Sequence, residues 1–68
     1  MPLNLEEQEL VRKALDQIQE AQRLVIHAAH SLSPVNGFAD EWSATNQLYD
    51  TVKQHWHTVN NRRIQLQP

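Results

Sequence analysis

The sequence predicts an all-α protein, an antiparallel two-helix hairpin in which a coiled-coil pair of helices packs along one heptad seam. In the first half of the chain, aliphatic residues and alanines alternate at steps of three and four, the spacing of a helix packed along another helix. These residues are Val11, Ala14, Ile18, Ala21, Val25, Ala28 and Leu32. In the second half, aromatic residues recur every seven positions, at Trp42, Tyr49 and Trp56. Residues 33–37, between the two halves, are the only stretch rich in turn-forming residues.

Helix 1 is expected from about residue 4 to residue 32. Asn4 is a favourable N-cap, and Glu7 stands three residues later, where the acid of a capping box belongs. The interior contains neither glycine nor proline and is rich in strong helix formers. Pro34 disfavours helical geometry at Ser33, so the helix is expected to end there or just before.

The turn is expected at residues 33–37 and helix 2 from about residue 38 to residue 62. Asn36 and Gly37 form a turn dipeptide, and Asn36 is also a candidate cap for helix 2. Cations toward the C-terminal end of helix 2, such as Arg62, suit the helix dipole there. Residues 63–68 are expected to be a frayed tail of a single domain that spans residues 1–68.

A fold-back at Val35 sets the expected register of the two helices. It places Ala28 opposite Trp42, Ala21 opposite Tyr49, Ala14 opposite Trp56, and Glu7 near Arg63. Small residues opposite large rings fill a core without voids, so the aromatic residues are predicted to lie in the core. The alternative is a stacking platform for nucleic-acid bases, but no basic groove accompanies the rings.

Composition argues against several classes of protein. The chain has 68 residues and no cysteine, which rules out a disulfide or a cysteine metal site. Lys plus Arg is 6 and Asp plus Glu is 8, a net charge of −2, which argues against a nucleic-acid coat or a basic membrane helix. No apolar run approaches the roughly 20 residues that span a bilayer. No secretory signal is visible, so we expect a cytoplasmic protein without a membrane contact.

Self-association is the expected route to stability, because a hairpin this short encloses little core. One flank of the seam carries more large apolar side chains than the other flank, which contains Leu15 and Ala29. We predict that the flank with more large apolar side chains forms a dimer or partner face and that two hairpins close into a four-helix bundle. The residues assigned to this face are Leu10, Leu24, Leu48 and His55. His55 there raises the hypothesis of pH-dependent association, beside the alternative of solvated histidines.

A second candidate patch for docking a partner lies near the turn. Its residues are Ile26, Ala29, Val35 and Ala39. Ile26 lies outside the seam, and the other three are close to it in the expected register. The alternative interpretation is a single exposed isoleucine, which needs no function.

The chemistry-bearing side chains predict neither an enzyme nor a metal or cofactor site. His27 and His30 share one helix face and could bind zinc with a carboxylate, but Glu20 is too far along the helix and Asp40 points outward in this register. We find no glycine-rich phosphate loop and no nucleophile beside a base.

The sequence therefore predicts a small, non-enzymatic interaction or regulatory protein that forms a homodimer and binds another protein. The alternative is a nucleic-acid-binding regulator. The outward positions of helix 1 carry charges of both signs, which does not favour it. The predicted architecture resembles in shape the plasmid copy-number regulators of the repressor-of-primer type, and this resemblance implies binding to RNA or DNA.

Overall fold

The chain folds into a hairpin of two antiparallel α-helices, as predicted. A computed structural model describes residues 2–67; Met1 and Pro68, the ends of the predicted domain, lie outside the described residues. Helix α1 covers Leu5–Leu32, helix α2 covers Ala39–Gln65, and the two helices pack against each other. The Cα atoms span 51 × 15 × 9 Å, so the molecule is a long, thin rod. Within residues 2–67, neither helix has a stretch both long and apolar enough to cross a membrane.

The start of α1 is closed by the predicted capping box. The side-chain oxygen of Asn4 accepts a hydrogen bond from the backbone N–H of Glu7 at 2.7 Å. The carboxylate of Glu7 accepts one from the backbone N–H of Asn4 at 3.1 Å. Two donors that the first turn would leave without partners are therefore satisfied by residues three positions apart.

The turn depends on Gly37, which has a φ of +88°. Side chains strongly disfavour this left-handed region, and glycine, the only one in the chain, adopts it without cost. The expectation that Asn36 caps α2 is wrong. Gly37 and Phe38 separate Asn36 from the first helical residue, and Phe38 occupies the N-cap position without a side-chain hydrogen bond.

The C-terminal end of α2 is more ordered than predicted. The helix continues to Gln65 rather than ending at about Arg62, and Leu66 closes its last turn through a backbone hydrogen bond to Arg62 at 3.1 Å. The carbonyl of Leu66 accepts a hydrogen bond from the N–H of Leu3 at 3.0 Å. This bond ties the two ends of the hairpin together, which is why most of the expected tail is not frayed.

The seam on α1 keeps the predicted aliphatic residues Val11, Ile18, Val25 and Leu32, which are half-buried, but not the predicted alanines Ala21 and Ala28. Leu15 (6% exposed) and Ala29 (0%) are the buried residues of α1, whereas Ala21 and Ala28 are exposed and Ala14 is half-buried. The expectation that Ala21 and Ala28 are enclosed beneath aromatic rings is therefore wrong. The helix is turned about its axis toward the flank that carries Leu15. Burying a leucine removes more apolar surface from water than burying an alanine, which favours this orientation.

The seam on α2 follows the prediction at Tyr49 and Trp56, whereas Trp42 is exposed. Its half-buried residues include Thr45, Tyr49, Val52, Trp56 and Val59. Within the described residues, α2 contains no fully buried side chain. The two helices therefore share a narrow interface rather than an enclosed core.

The register between the helices is fixed near its middle by Trp56. The indole Nε1 donates a hydrogen bond to the backbone carbonyl of Leu15 at 3.1 Å, across 41 positions of sequence. Trp56 therefore lies beside Leu15, one residue from the predicted Ala14. The expected pairing of Glu7 with Arg63 is not formed, because Glu7 belongs to the capping box and the guanidinium of Arg63 bonds to Asn60 Oδ1 at 3.0 Å.

Replacing Leu15 by alanine tests the orientation of α1. We expect Leu15→Ala to lower the free energy of unfolding by roughly 2–3 kcal/mol, because it removes the largest buried side chain of the interface. Urea denaturation followed by circular dichroism at low protein concentration measures the change. The control is Leu5→Ala, at a residue 78% exposed, which should change stability by less than about 0.5 kcal/mol. Equal losses in the two variants would contradict the observed orientation.

Replacing Trp56 by phenylalanine tests the hydrogen bond that sets the register. We expect Trp56→Phe to lower the free energy of unfolding by about 1 kcal/mol, because an aromatic ring is kept while the N–H donor is lost. The matched control is Trp42→Phe. Trp42 is exposed, and among residues 2–67 the side-chain hydrogen bond between the two helices belongs to Trp56. If thermal unfolding shows the same loss of stability for Trp56→Phe and Trp42→Phe, the hydrogen bond from Trp56 to Leu15 contributes nothing to stability.

Candidate interaction face

The hairpin leaves eight large apolar side chains of the described residues exposed. The exposed ones are Leu5, Leu10, Leu24, Val35, Phe38, Trp42, Leu48 and Ile64. The chain exposes 5399 Å² of surface. A compact globular protein of 7.9 kDa is expected to expose about 4,400 Å². The hairpin therefore exposes about 1,000 Å² more total surface than a compact protein of its mass. Clusters of exposed apolar side chains mark interaction sites.

The two sides of the hairpin differ in how far their side chains are buried. On one side, the positions of α1 that flank the seam are all buried or half-buried: Gln8, Leu15, Gln22 and Ala29. Asn46 and Asn60 of α2 are half-buried as well. We call this side the closed face. The side chains on the opposite side of the pair are more exposed.

We call the opposite side the open face, and its residues follow one strip on each helix. The strip on α1 consists of Leu10, Ala14, Gln17, Ala21, Leu24 and Ala28. The strip on α2 consists of Glu41, Ala44, Leu48, Thr51, His55, Thr58 and Arg62. All of these residues are exposed except Ala14, which is half-buried. The four residues predicted to form a dimer face, Leu10, Leu24, Leu48 and His55, are all exposed and accessible, and their assignment to one face stays a prediction.

The strip on α1 has the spacing of a second helix-packing seam. Its members follow one another at steps of four, three, four, three and four, as the members of the first seam do. It lies about 100° around α1 from the strip that packs on α2, which contains Val11, Leu15, Ile18, Val25 and Ala29, since each residue turns the helix by that angle. A helix with two such seams can contact two neighbouring helices, but the hairpin supplies only one. The second seam of α1 has no neighbour within the described residues.

A groove at the open end of the hairpin is lined by residues from both arms of the chain. It encloses about 290 Å³ and is lined by Leu3 and Val11 from one arm and by Thr58, Val59 and Arg62 from α2, with Leu66 and Arg63. Its walls are mainly apolar, and Arg62 stands at its edge as an exposed cation. Arg62 ends the strip on α2, and Glu41, an exposed anion, begins it at the opposite end.

The second predicted patch needs a correction. Ala29 is fully buried and Ile26 is half-buried, because both lie toward the closed face, so neither contributes to an exposed cluster with Val35 and Ala39. The turn instead exposes Val35, Phe38 and Trp42, which we call the turn tip. A concavity of about 300 Å³ is formed there by these residues with Leu32, Gly37 and Ala39. Trp42 was predicted to lie in the core, and this expectation is wrong, because the packed seam ends near the turn and leaves Trp42 41% exposed.

The polar residues do not form a site for chemistry among the described residues. All four histidines are exposed, and no three His, Asp or Glu side chains of residues 2–67 come together as a metal ion would require. One ion pair forms on the outer side of α1, where Arg23 donates hydrogen bonds to the carboxylate of Glu20. These hydrogen bonds hold the pKa of Glu20 below its usual value and raise that of Arg23. The pair lies away from the open face.

Comparison with protein-family models, with curated proteins and with solved structures finds no match to this chain.

Proposed function

We propose that this chain is a small, non-enzymatic interaction protein that acts as a homodimer. The open faces of two hairpins pack together into a four-helix bundle, and the dimer presents its turn tips to a protein partner. The observation that carries the proposal is the second seam of α1, which has the spacing of a helix–helix interface and no helix against it within the described residues.

The exposed area supports a second copy as the occupant of the open face. A standard protein–protein interface buries about 800 Å² on each partner. The hairpin exposes about 1,000 Å² more than a compact protein of its mass. One interface of ordinary size would therefore bring the chain to the surface area of a globular protein.

The shallow interface of the single hairpin supports the same proposal. Within the described residues only Leu15 and Ala29 are buried, and chains below about 70 residues rarely reach more than roughly 3–5 kcal/mol from one core. Packing the two strips against another pair of helices covers Leu10, Leu24 and Leu48, which are 61%, 55% and 51% exposed. Burial of these leucines adds hydrophobic stabilisation that the hairpin alone lacks.

The turn tip is the surface that we assign to the partner protein. Val35, Phe38 and Trp42 lie outside both strips of the open face, so the four-helix bundle leaves them accessible. Aromatic side chains are typical anchors of protein–protein interfaces. A dimer carries two such tips, which makes it able to bind two copies of a partner or one symmetric partner.

Solution mass, measured by light scattering on a sizing column, tests the dimer. We expect twice the chain mass of 7.9 kDa for the wild-type protein. Leu24→Glu should raise the dimer dissociation constant by at least about 100-fold, because it places an unpaired charge in the apolar interface.

The matched control is Gln19→Glu, which adds the same charge at an exposed position on the other side of α1. It should leave the mass unchanged. A wild-type monomer at high concentration, or equal effects of the two substitutions, would refute the assignment of the open face.

A further inference from the structure

We propose that the two hairpins of the dimer run in opposite directions, with their turns at opposite ends of the bundle. In this arrangement α1 packs on α1 of the partner and α2 on α2 of the partner, around a two-fold axis perpendicular to the helices. The inference rests on the proposed dimer and concerns how its open faces meet.

The strip on α1 is complementary to itself in the reversed direction. With the axis level with Gln19, Leu10 lies opposite Ala28 of the partner subunit, and Leu24 lies opposite Ala14 of the partner subunit. A two-fold interface requires that one surface be complementary to its own copy. Each leucine then meets an alanine, the pairing of large with small residues that fills an interface without voids.

The strip on α2 matches itself in the same reversed direction. Glu41 and Arg62 are its charged members, and both are exposed. With the axis midway between Thr51 and Val52, Glu41 faces Arg62 of the partner subunit, and the symmetry makes the same pair twice. The opposite charges of Glu41 and Arg62 thus come together at both ends of the interface, which favours this orientation.

The two axes coincide because of the observed register. The hydrogen bond from Trp56 to Leu15 places α1 and α2 side by side at those residues. Four residues further along α1 is Gln19, and four residues back along α2 is Val52. The axis found from α1 and the axis found from α2 therefore lie at the same level of the hairpin, although each was derived from a different strip.

The opposite arrangement, with both turns at the same end, makes poorer pairs. It sets α1 against α2 of the partner at equal height, which places leucine against leucine at Leu24 and Leu48. It also keeps Glu41 and Arg62 at opposite ends of the bundle, roughly 32 Å apart along the helix. In that arrangement Glu41 and Arg62 of the two subunits do not contact each other.

Cysteine cross-linking distinguishes the two arrangements, and the chain has no cysteine of its own to interfere. A chain carrying Leu10→Cys is mixed with a mass-tagged chain carrying Ala28→Cys, oxidised, and analysed by non-reducing electrophoresis. We expect a covalent heterodimer, because the two positions face each other only when the turns lie at opposite ends. With both turns at one end these positions are roughly 27 Å apart along the axis, far beyond the reach of about 7 Å between Cα atoms of a disulfide.

The matched control mixes a Leu24→Cys chain with a Leu48→Cys chain, which cross-link only when both turns lie at one end. Cross-linking of this second pair instead of the first overturns the proposed orientation. Light scattering under reducing conditions verifies that each mixture is dimeric. A wild-type protein that stays monomeric overturns the proposed function itself, so the two failures are distinguishable.

A charge exchange tests the orientation without cysteines. Glu41→Arg or Arg62→Glu alone should weaken association about ten-fold, because attraction becomes repulsion at two exposed pairs. The double variant Glu41→Arg/Arg62→Glu should recover wild-type affinity. The two residues are too far apart on one helix to interact, so recovery requires contact between subunits, and a double variant as weak as the single ones overturns the proposal.

Discussion

A two-helix hairpin has one interface, and each helix can bury only one narrow strip in it. This constraint governs the rest of the structure. Because the strip is narrow, half-buried residues dominate it, and among residues 2–67 only Leu15 and Ala29 are enclosed. The register is then held by a few directional contacts rather than by a deep core, chiefly the hydrogen bond from Trp56 to Leu15 and the one from Leu3 to Leu66.

The orientation of α1 about its own axis decides which residues remain outside. The helix carries two adjacent apolar strips, and packing on α2 can enclose only one of them. Turning Leu15 toward α2 closes one side of the hairpin and leaves Ala21, Leu24 and Ala28 on the other. The same rotation that builds the hairpin therefore creates the open face.

The polar residues keep the remaining surface hydrated. The outer side of α1 carries charges of both signs, with Glu20 and Arg23 paired on it. The exposed apolar side chains Leu24, Leu48, Phe38 and Trp42 lie elsewhere on the hairpin.

The sequence by itself determined the helices and the turn, because the forces that define them act over a few residues. Asn4 and Glu7 form a local capping box, Pro34 follows the end of α1, and Gly37 adopts a backbone conformation that other residues resist. The fold-back register was predicted to within one residue, since the turn position and the heptad spacing leave few alternatives. The grouping of Leu10, Leu24, Leu48 and His55 on one side stays a prediction from the same spacing.

Only the tertiary structure decided which strip of α1 is buried. Two strips one residue apart both follow steps of three and four, so periodicity favours neither, and the outcome depends on which side chains fit against α2. The tertiary structure also decided that Ala29 is enclosed, that Trp42 is exposed beside the turn, and that α2 extends to Gln65. Each of these depends on contacts between residues distant in sequence, such as Leu3 with Leu66, and such contacts exist only after the helices have packed.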